Sequence, residues 1–68
     1  MFATYLFRQT AADQLGIHFA KLERLRLRGL IPEVVRVGRY FLYPAERLDA
    51  IRERLVRQGH LPGRAADA

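Results

Sequence analysis

The chain has 68 residues, 28% of them charged and 50% hydrophobic, and a net charge of +5. That length sets one domain with a modest core, and the composition is globular, not disordered. The absence of cysteine removes disulfides and thiolate metal sites. No apolar run approaches a membrane span, and Met1 to Leu6 lacks the basic start and cleavage-type ending of a signal peptide. A cytoplasmic location is therefore the default expectation.

Eleven of the twelve basic residues are arginine. A basic balance of this kind favours nucleic acid or an anionic surface as partner. An Arg- and Ala-rich chain is also what a GC-rich genome encodes, so the position of the charge matters more than its amount.

Met1 to Leu6 reads as an extended lead-in, with Tyr5 and Leu6 as core contacts. Arg8 to Leu15, RQTAADQL, reads as a short first helix. Thr10 and Asp13 have a capping-box spacing, but a start there leaves barely more than one turn. A start near Phe7 or Arg8 gives two turns and turns Ala11, Ala12 and Leu15 inward. Gly16 is the expected left-handed terminator, and Ile17 pins the turn to the core.

The second helix runs from about His18 or Phe19 to a second terminator, Gly29, with Pro32 soon after. Phe19, Leu22 and Leu25 fall on one side. Lys21, Arg24 and Arg28 fall on another, at spacings of three and four. Such neighbours lie about 5–6 Å apart at Cβ, and each like-charged pair costs a helix roughly 0.2–0.5 kcal/mol. An unrelieved basic column points to an anionic partner; the plain alternative is solvation. Two short helices joined by a tight turn form a helix-turn-helix.

In EVVRVGRYFLYP, valines and aromatics flank Gly38-Arg39, which suits a two-residue type II′ turn. That turn pairs Val37 with Tyr40 and Val35 with Leu42, and these four share one face. Val34, Arg36, Phe41 and Tyr43 take the other, which is more apolar than a free hairpin needs. Either the loop is longer and the register shifts, or this face packs on something. Pro44 is expected at the first position of a third helix. Ala45 to Gln58 carries Leu48, Ile51 and Leu55 at helical spacing, with Val56 at the edge. Glu53 and Arg57 have the favoured pair orientation. Charges of both signs mix here, which reads as a solvated face. Gly59 closes the helix, so residues 1–59 form the domain and 60–68 a flexible tail.

Catalytic chemistry is sparse. The chain has no serine and no cysteine, so a triad built on either is impossible. His18 and His60 are too far apart in sequence for a metal-ligand spacing, and no glycine-rich loop precedes a helix in phosphate-cradling form. We expect no enzyme activity, no metal and no cofactor. His18, at the start of the second helix, reads equally as a cap and as a base or phosphate contact.

The ordered set TAADQLGI, RLRLRGLIP and RVGRYFLYPAERLDAIRERLVRQG resembles the MerR-like winged helix-turn-helix group, which includes phage excisionases and AlpA-type regulators. The resemblance spans about Tyr5 to Gly59. It implies a mainly α fold of three helices plus a two-stranded wing, with the second helix in the major groove and hairpin 33–43 as the wing. Lys21 and Arg24 would face DNA, Arg28 would lie near the helix end, and Arg36, Arg39 and Tyr40 would be wing contacts. Tyr40 rests on the resemblance alone. Phe7 and His18 stand where family members often carry Ser or Thr, and Phe41 stands where MerR regulators usually carry an arginine. The length leaves no room for a dimerising helix or effector domain, so no small-molecule effector is expected.

The expected function is sequence-specific duplex DNA binding, as a small transcriptional regulator or an excisionase-type recombination directionality factor. The DNA partner is expected to be met by a homodimer or a cooperative array. Membrane binding is not expected, because the apolar helix faces are needed for the core. The alternative is a protein-interaction module, a small packaging or antitoxin-like subunit, with Leu27 and Phe41 at its interface. Leu27 itself reads more readily as packed beneath the hairpin or the third helix.

Overall fold

Short helices of this chain end where a glycine takes a backbone conformation that other residues resist. The computed structural model describes residues 4–62. In chain order it has β1 (Tyr5–Phe7), α1 (Arg8–Leu15), α2 (Phe19–Leu27), β2 (Val35–Val37), β3 (Tyr40–Pro44), a single 3-10 turn (Ala45–Arg47) and α3 (Leu48–Arg57). After α1, Gly16 adopts φ 77°, and the Ile17 N–H reaches back to the Ala12 carbonyl at 3.0 Å. After α2, Gly29 adopts the same φ, and the Leu30 N–H reaches the Leu25 carbonyl at 3.1 Å. Both are six-to-one closures that satisfy carbonyls left open at a helix end. The residue after each glycine, Ile17 or Leu30, packs against the core.

The fold is mixed α/β, with three α-helices and a three-stranded antiparallel sheet of order β1-β3-β2. This corrects the expected mainly α arrangement with a two-stranded hairpin. The supposed lead-in pairs with β3 through Tyr5↔Pro44, Leu6↔Tyr43 and Phe7↔Leu42. A hairpin alone leaves the outer edge of β3 with unpaired N–H and C=O groups, and β1 satisfies that edge. Of the two expected core contacts in the lead-in, Leu6 packs against the core and Tyr5 stays 47% exposed.

Of the two alternatives the sequence left open, the hairpin has the register of a two-residue turn: Val35↔Leu42, Arg36↔Phe41 and Val37↔Tyr40. Gly38, at φ 61°, takes the first turn position. The apolar surplus on the Phe41–Tyr43 face is explained by packing, not by slippage. Tyr43 is fully buried, and Leu6 beside it packs against the core. Strand alternation then turns Val35, Val37 and Tyr40 outward, and these are exposed.

The core is built from Tyr43, Leu15, Leu22, Ile31, Ile51 and Leu55, with Ala11 and Ala12 letting α1 approach closely. Pro44 ends β3 instead of opening a helix, and α3 itself starts at Leu48 after the 3-10 turn. The core also reaches beyond Gly59. The His60 N–H bonds the Leu55 carbonyl at 2.8 Å, and Leu61, read from the sequence as tail, is buried. Residues 63–68 of that expected tail lie outside the described residues.

Two arginines of α3 tie it to the rest. Arg52 donates to the Leu15 carbonyl at 2.6 Å, placing a cation at the negative end of α1. Arg54 forks onto Glu33, Nη1 to Oε2 at 2.5 Å and Nη2 to Oε1 at 2.8 Å, and also bonds the Leu30 carbonyl. Among the described residues Glu53 and Arg57 form no salt bridge. The Arg54 hydrogen bonds hold the Glu33 carboxyl below its usual pKa of 4.5, and Glu33 raises Arg54 in turn. A carboxyl lowered on folding stabilises above its unfolded pKa, and the gain is lost as pH falls through the folded value. Glu33→Gln should therefore cost about 1–2 kcal/mol at neutral pH, as loss of charge-assisted hydrogen bonds does. The gap in thermal midpoint between wild type and variant should close as pH is lowered below 4.5. A gap that persists at low pH would show that the fork contributes nothing through its charge.

Candidate nucleic-acid interface

The α2 helix buries Leu22 and Leu25 and presents Ala20, Lys21, Arg24 and Leu27 on its outer side, with Arg28 as its C-cap. Arg24 and Arg28 are exposed and Lys21 is half-buried. Among the described residues none of these three cations makes a side-chain hydrogen bond or salt bridge. The basic column expected from spacing is thus one open strip on a helix about 13 Å long.

His18 is the N-cap of α2. Its Nδ1 accepts from the Ala20 N–H at 3.0 Å, and its ring stacks on Phe19 with centroids 4.6 Å apart. The capping role replaces the Ser or Thr of a conventional N-cap. It assigns the proton to Nε2, whose donor is left for a further partner. The start of α1 has no such help, since Phe7 makes no side-chain cap bond.

The hairpin residues divide. Arg36 lies on the inward face, where its Nε bonds the Gly38 carbonyl at 3.0 Å and its guanidinium sits 5.8 Å from the Phe41 centroid. Arg39, at the tip, is exposed and has no side-chain partner among the described residues. It lines an open groove of about 470 Å³ with Phe7, Arg8, Gln9, Glu23, Tyr40 and Phe41. Tyr40 points to the opposite sheet face from Arg36 and meets Phe7 edge-on at 5.7 Å. The structure puts Arg36 and Tyr40 on opposite faces of the hairpin, while Arg39 and Tyr40 line one groove with Glu23 of α2.

The residue that joins helix and hairpin is Arg26, which spacing alone did not single out. Its guanidinium lies 3.7 Å from the Phe41 ring centroid, and Nη2 bonds Glu23 Oε1 at 3.2 Å. Arg8 holds the other Glu23 oxygen at 2.9 Å and lies over Phe19. Glu23, the one acid on α2, is thereby engaged on the sheet side and does not neutralise the strip. Burial pushes the Tyr43 pKa above its usual value, and Arg26 offsets part of that rise. The Phe41 ring is half-buried with Arg26 above it, whereas Leu27 is 74% exposed and packs beneath neither hairpin nor third helix. The signal for Arg26 was an arginine one turn from the glycine and an aromatic at a hairpin centre, a pairing that only the tertiary fold brings together.

Among the described residues no cluster of three or more metal-ligating side chains exists, and no helix is long and apolar enough to cross a membrane. Comparison with protein-family models, with characterised proteins and with solved structures finds no match for this chain.

Arg26 and Arg24 should behave oppositely on thermal unfolding. Arg26→Ala removes a packed cation–aromatic contact and an ion pair, and should cost about 1–2 kcal/mol, or several degrees for a chain of this size. Arg24→Ala should stay within about 0.5 kcal/mol of wild type, as exposed positions do. Equal losses at the two sites would show that the strip is structural.

Proposed function

We propose that the chain binds duplex DNA as a small winged helix-turn-helix module, with α2 in the major groove. The observation that carries this reading is the open strip of Lys21, Arg24 and Arg28. Three cations in one column destabilise an isolated helix, and an anionic partner turns that cost into attraction. The major groove is about 12 Å wide and admits one helix. Arg24 and Lys21 pair well with guanine edges, while Arg28, Arg36, Arg39 and the free Nε2–H of His18 suit phosphates and set position. Leu27, exposed beside the strip, fits a thymine methyl.

The hairpin acts as the wing in this reading. Its inward face is fixed to α2 through Arg26 and Phe41, so Arg36 and Arg39 approach the backbone beside the groove. Tyr40, on the opposite sheet face from Arg36, lines the same groove as Arg39 and stays a wing contact in this reading. Regulation of transcription and control of recombination are the two biological roles that suit such a module.

The test is fluorescence anisotropy against a random duplex pool across a salt series. Log affinity should fall against log salt with a slope of about −3 to −5, as four or five phosphate contacts give. After selection of a preferred sequence, Arg24→Ala should weaken specific binding by about 1–3 kcal/mol and relax base preference. No duplex binding at low salt would overturn the proposal, and unchanged affinity and preference in Arg24→Ala would overturn the docking.

A further inference from the structure

The sheet has a second face that the duplex reading uses only at its edge. Strand alternation and the register of both ladders put Tyr5 and Phe7 of β1, Tyr40 and Leu42 of β3, and Val35 and Val37 of β2 on one side. Phe7 and Tyr40 are 58% and 56% exposed and meet edge-on with centroids 5.7 Å apart. Tyr5 lies two residues before Phe7 on the same side, about 6–7 Å along the strand, and is also exposed. At its Phe7 and Tyr40 end the face runs into the open groove of about 470 Å³, whose other walls include Arg8, Gln9, Glu23 and Arg39. The groove is cationic. Both oxygens of Glu23 are held, one by Arg8 at 2.9 Å and one by Arg26 at 3.2 Å, so its charge is more than matched. Arg39 has no side-chain partner among the described residues.

We infer that this groove and the aromatic face beside it bind single-stranded nucleic acid, independently of the duplex strip on α2. Charge complementarity joined to aromatics argues for that occupant. An apolar protein surface, or a second copy of a chain that carries +5, would meet Arg39 and the Arg8–Arg26 excess with no counter-charge. A single strand brings phosphates for the cations and flat bases for the rings, the two things such a groove offers to bind. Exposed aromatics on a sheet stack unpaired bases with little regard to sequence. A duplex offers these rings no base without first unstacking one. The base nearest the hairpin tip stacks at Tyr40 and Phe7, the next at Tyr5, and Arg39 and Arg8 hold phosphates. The exposed amide of Gln9 both donates and accepts, which suits a base edge. The site spans about two or three nucleotides, as small aromatic sheet platforms do.

The probe is a fluorescein-labelled oligothymidylate, which does not pair with itself, read by anisotropy with the intact chain. Binding should appear at low salt. Log affinity should fall against log salt with a slope of about −1 to −2, as two or three phosphates of a single strand give. Tyrosine emission should be quenched by the stacked bases, and no tryptophan masks it. Arg39 and Tyr40 serve both readings, so the deciding changes are at Phe7 and Tyr5. Phe7→Leu and Tyr5→Leu keep an apolar side chain and remove the ring. Each should weaken oligonucleotide binding about fivefold or more, with an unchanged circular dichroism spectrum. Phe7→Tyr, which keeps a ring, should bind like wild type, and so should Arg24→Ala. No binding of oligothymidylate at low salt overturns the proposal. Wild-type affinity in folded Phe7→Leu and Tyr5→Leu also overturns it. A loss in Arg24→Ala as large as in those variants does the same, because it puts the single strand on the α2 strip. If oligothymidylate binds and duplex DNA does not, the duplex reading falls and this one stands; if duplex binds and oligothymidylate does not, only this one falls.

Discussion

The contact between the Arg26 guanidinium and the Phe41 ring, 3.7 Å from its centroid, decides how the two halves of this molecule meet. Arg26 comes from α2 and Phe41 from β3, so the contact fixes which face of the hairpin turns inward. Once Phe41 faces in, the pleat sends Tyr43 into the core and Tyr40 and Leu42 to the other side. Glu23 reinforces the junction by accepting from both Arg26 and Arg8. That engagement matters beyond the junction. Glu23 is the one acid on α2, and its pairing with Arg26 and Arg8 leaves Lys21, Arg24 and Arg28 without a salt-bridge partner among the described residues.

Much of this was legible in the sequence, for local reasons. The ends of α1 and α2 follow from Gly16 and Gly29, because an αL terminator is a property of a few consecutive residues. The inward set Ala11, Ala12, Leu15, Leu22, Leu25, Leu48, Ile51 and Leu55 follows from helical period, and all eight are buried. The hairpin register was legible as one of two alternatives, the one that a two-residue turn at Gly38-Arg39 gives. The basic column was legible too, since i, i+3 and i+4 neighbours share a side in any helix.

What escaped was non-local. Strand β1 is three residues long and its partner lies far along the chain, so no window of sequence contains both. Leu61 looked like tail because the residues around it carry no period, yet it is 5% exposed against the core. Glu33 and Arg54 are 21 residues apart and form the most closely held ion pair described. Spacing rules favoured Glu53 with Arg57 instead, because they see only one helix. Leu27 shows the same limit from the other side: its helical position fixes its direction, but only the tertiary arrangement reveals that nothing covers it.

The hairpin sequence itself carried one message that becomes readable only with the sheet in view. An antiparallel sheet with one wet face alternates apolar and polar residues, while a strand covered on both faces reads as a nearly unbroken apolar run. VVRVGRYFLYP is of the second kind, and YLF in β1 continues it. The core lies against one side of the sheet, through Leu6 and Tyr43. The other side, where a polar residue would cost nothing, instead carries three aromatics, two valines and a leucine. The strip on α2 and the outer sheet face are two surfaces of opposite chemistry, one charged and one apolar.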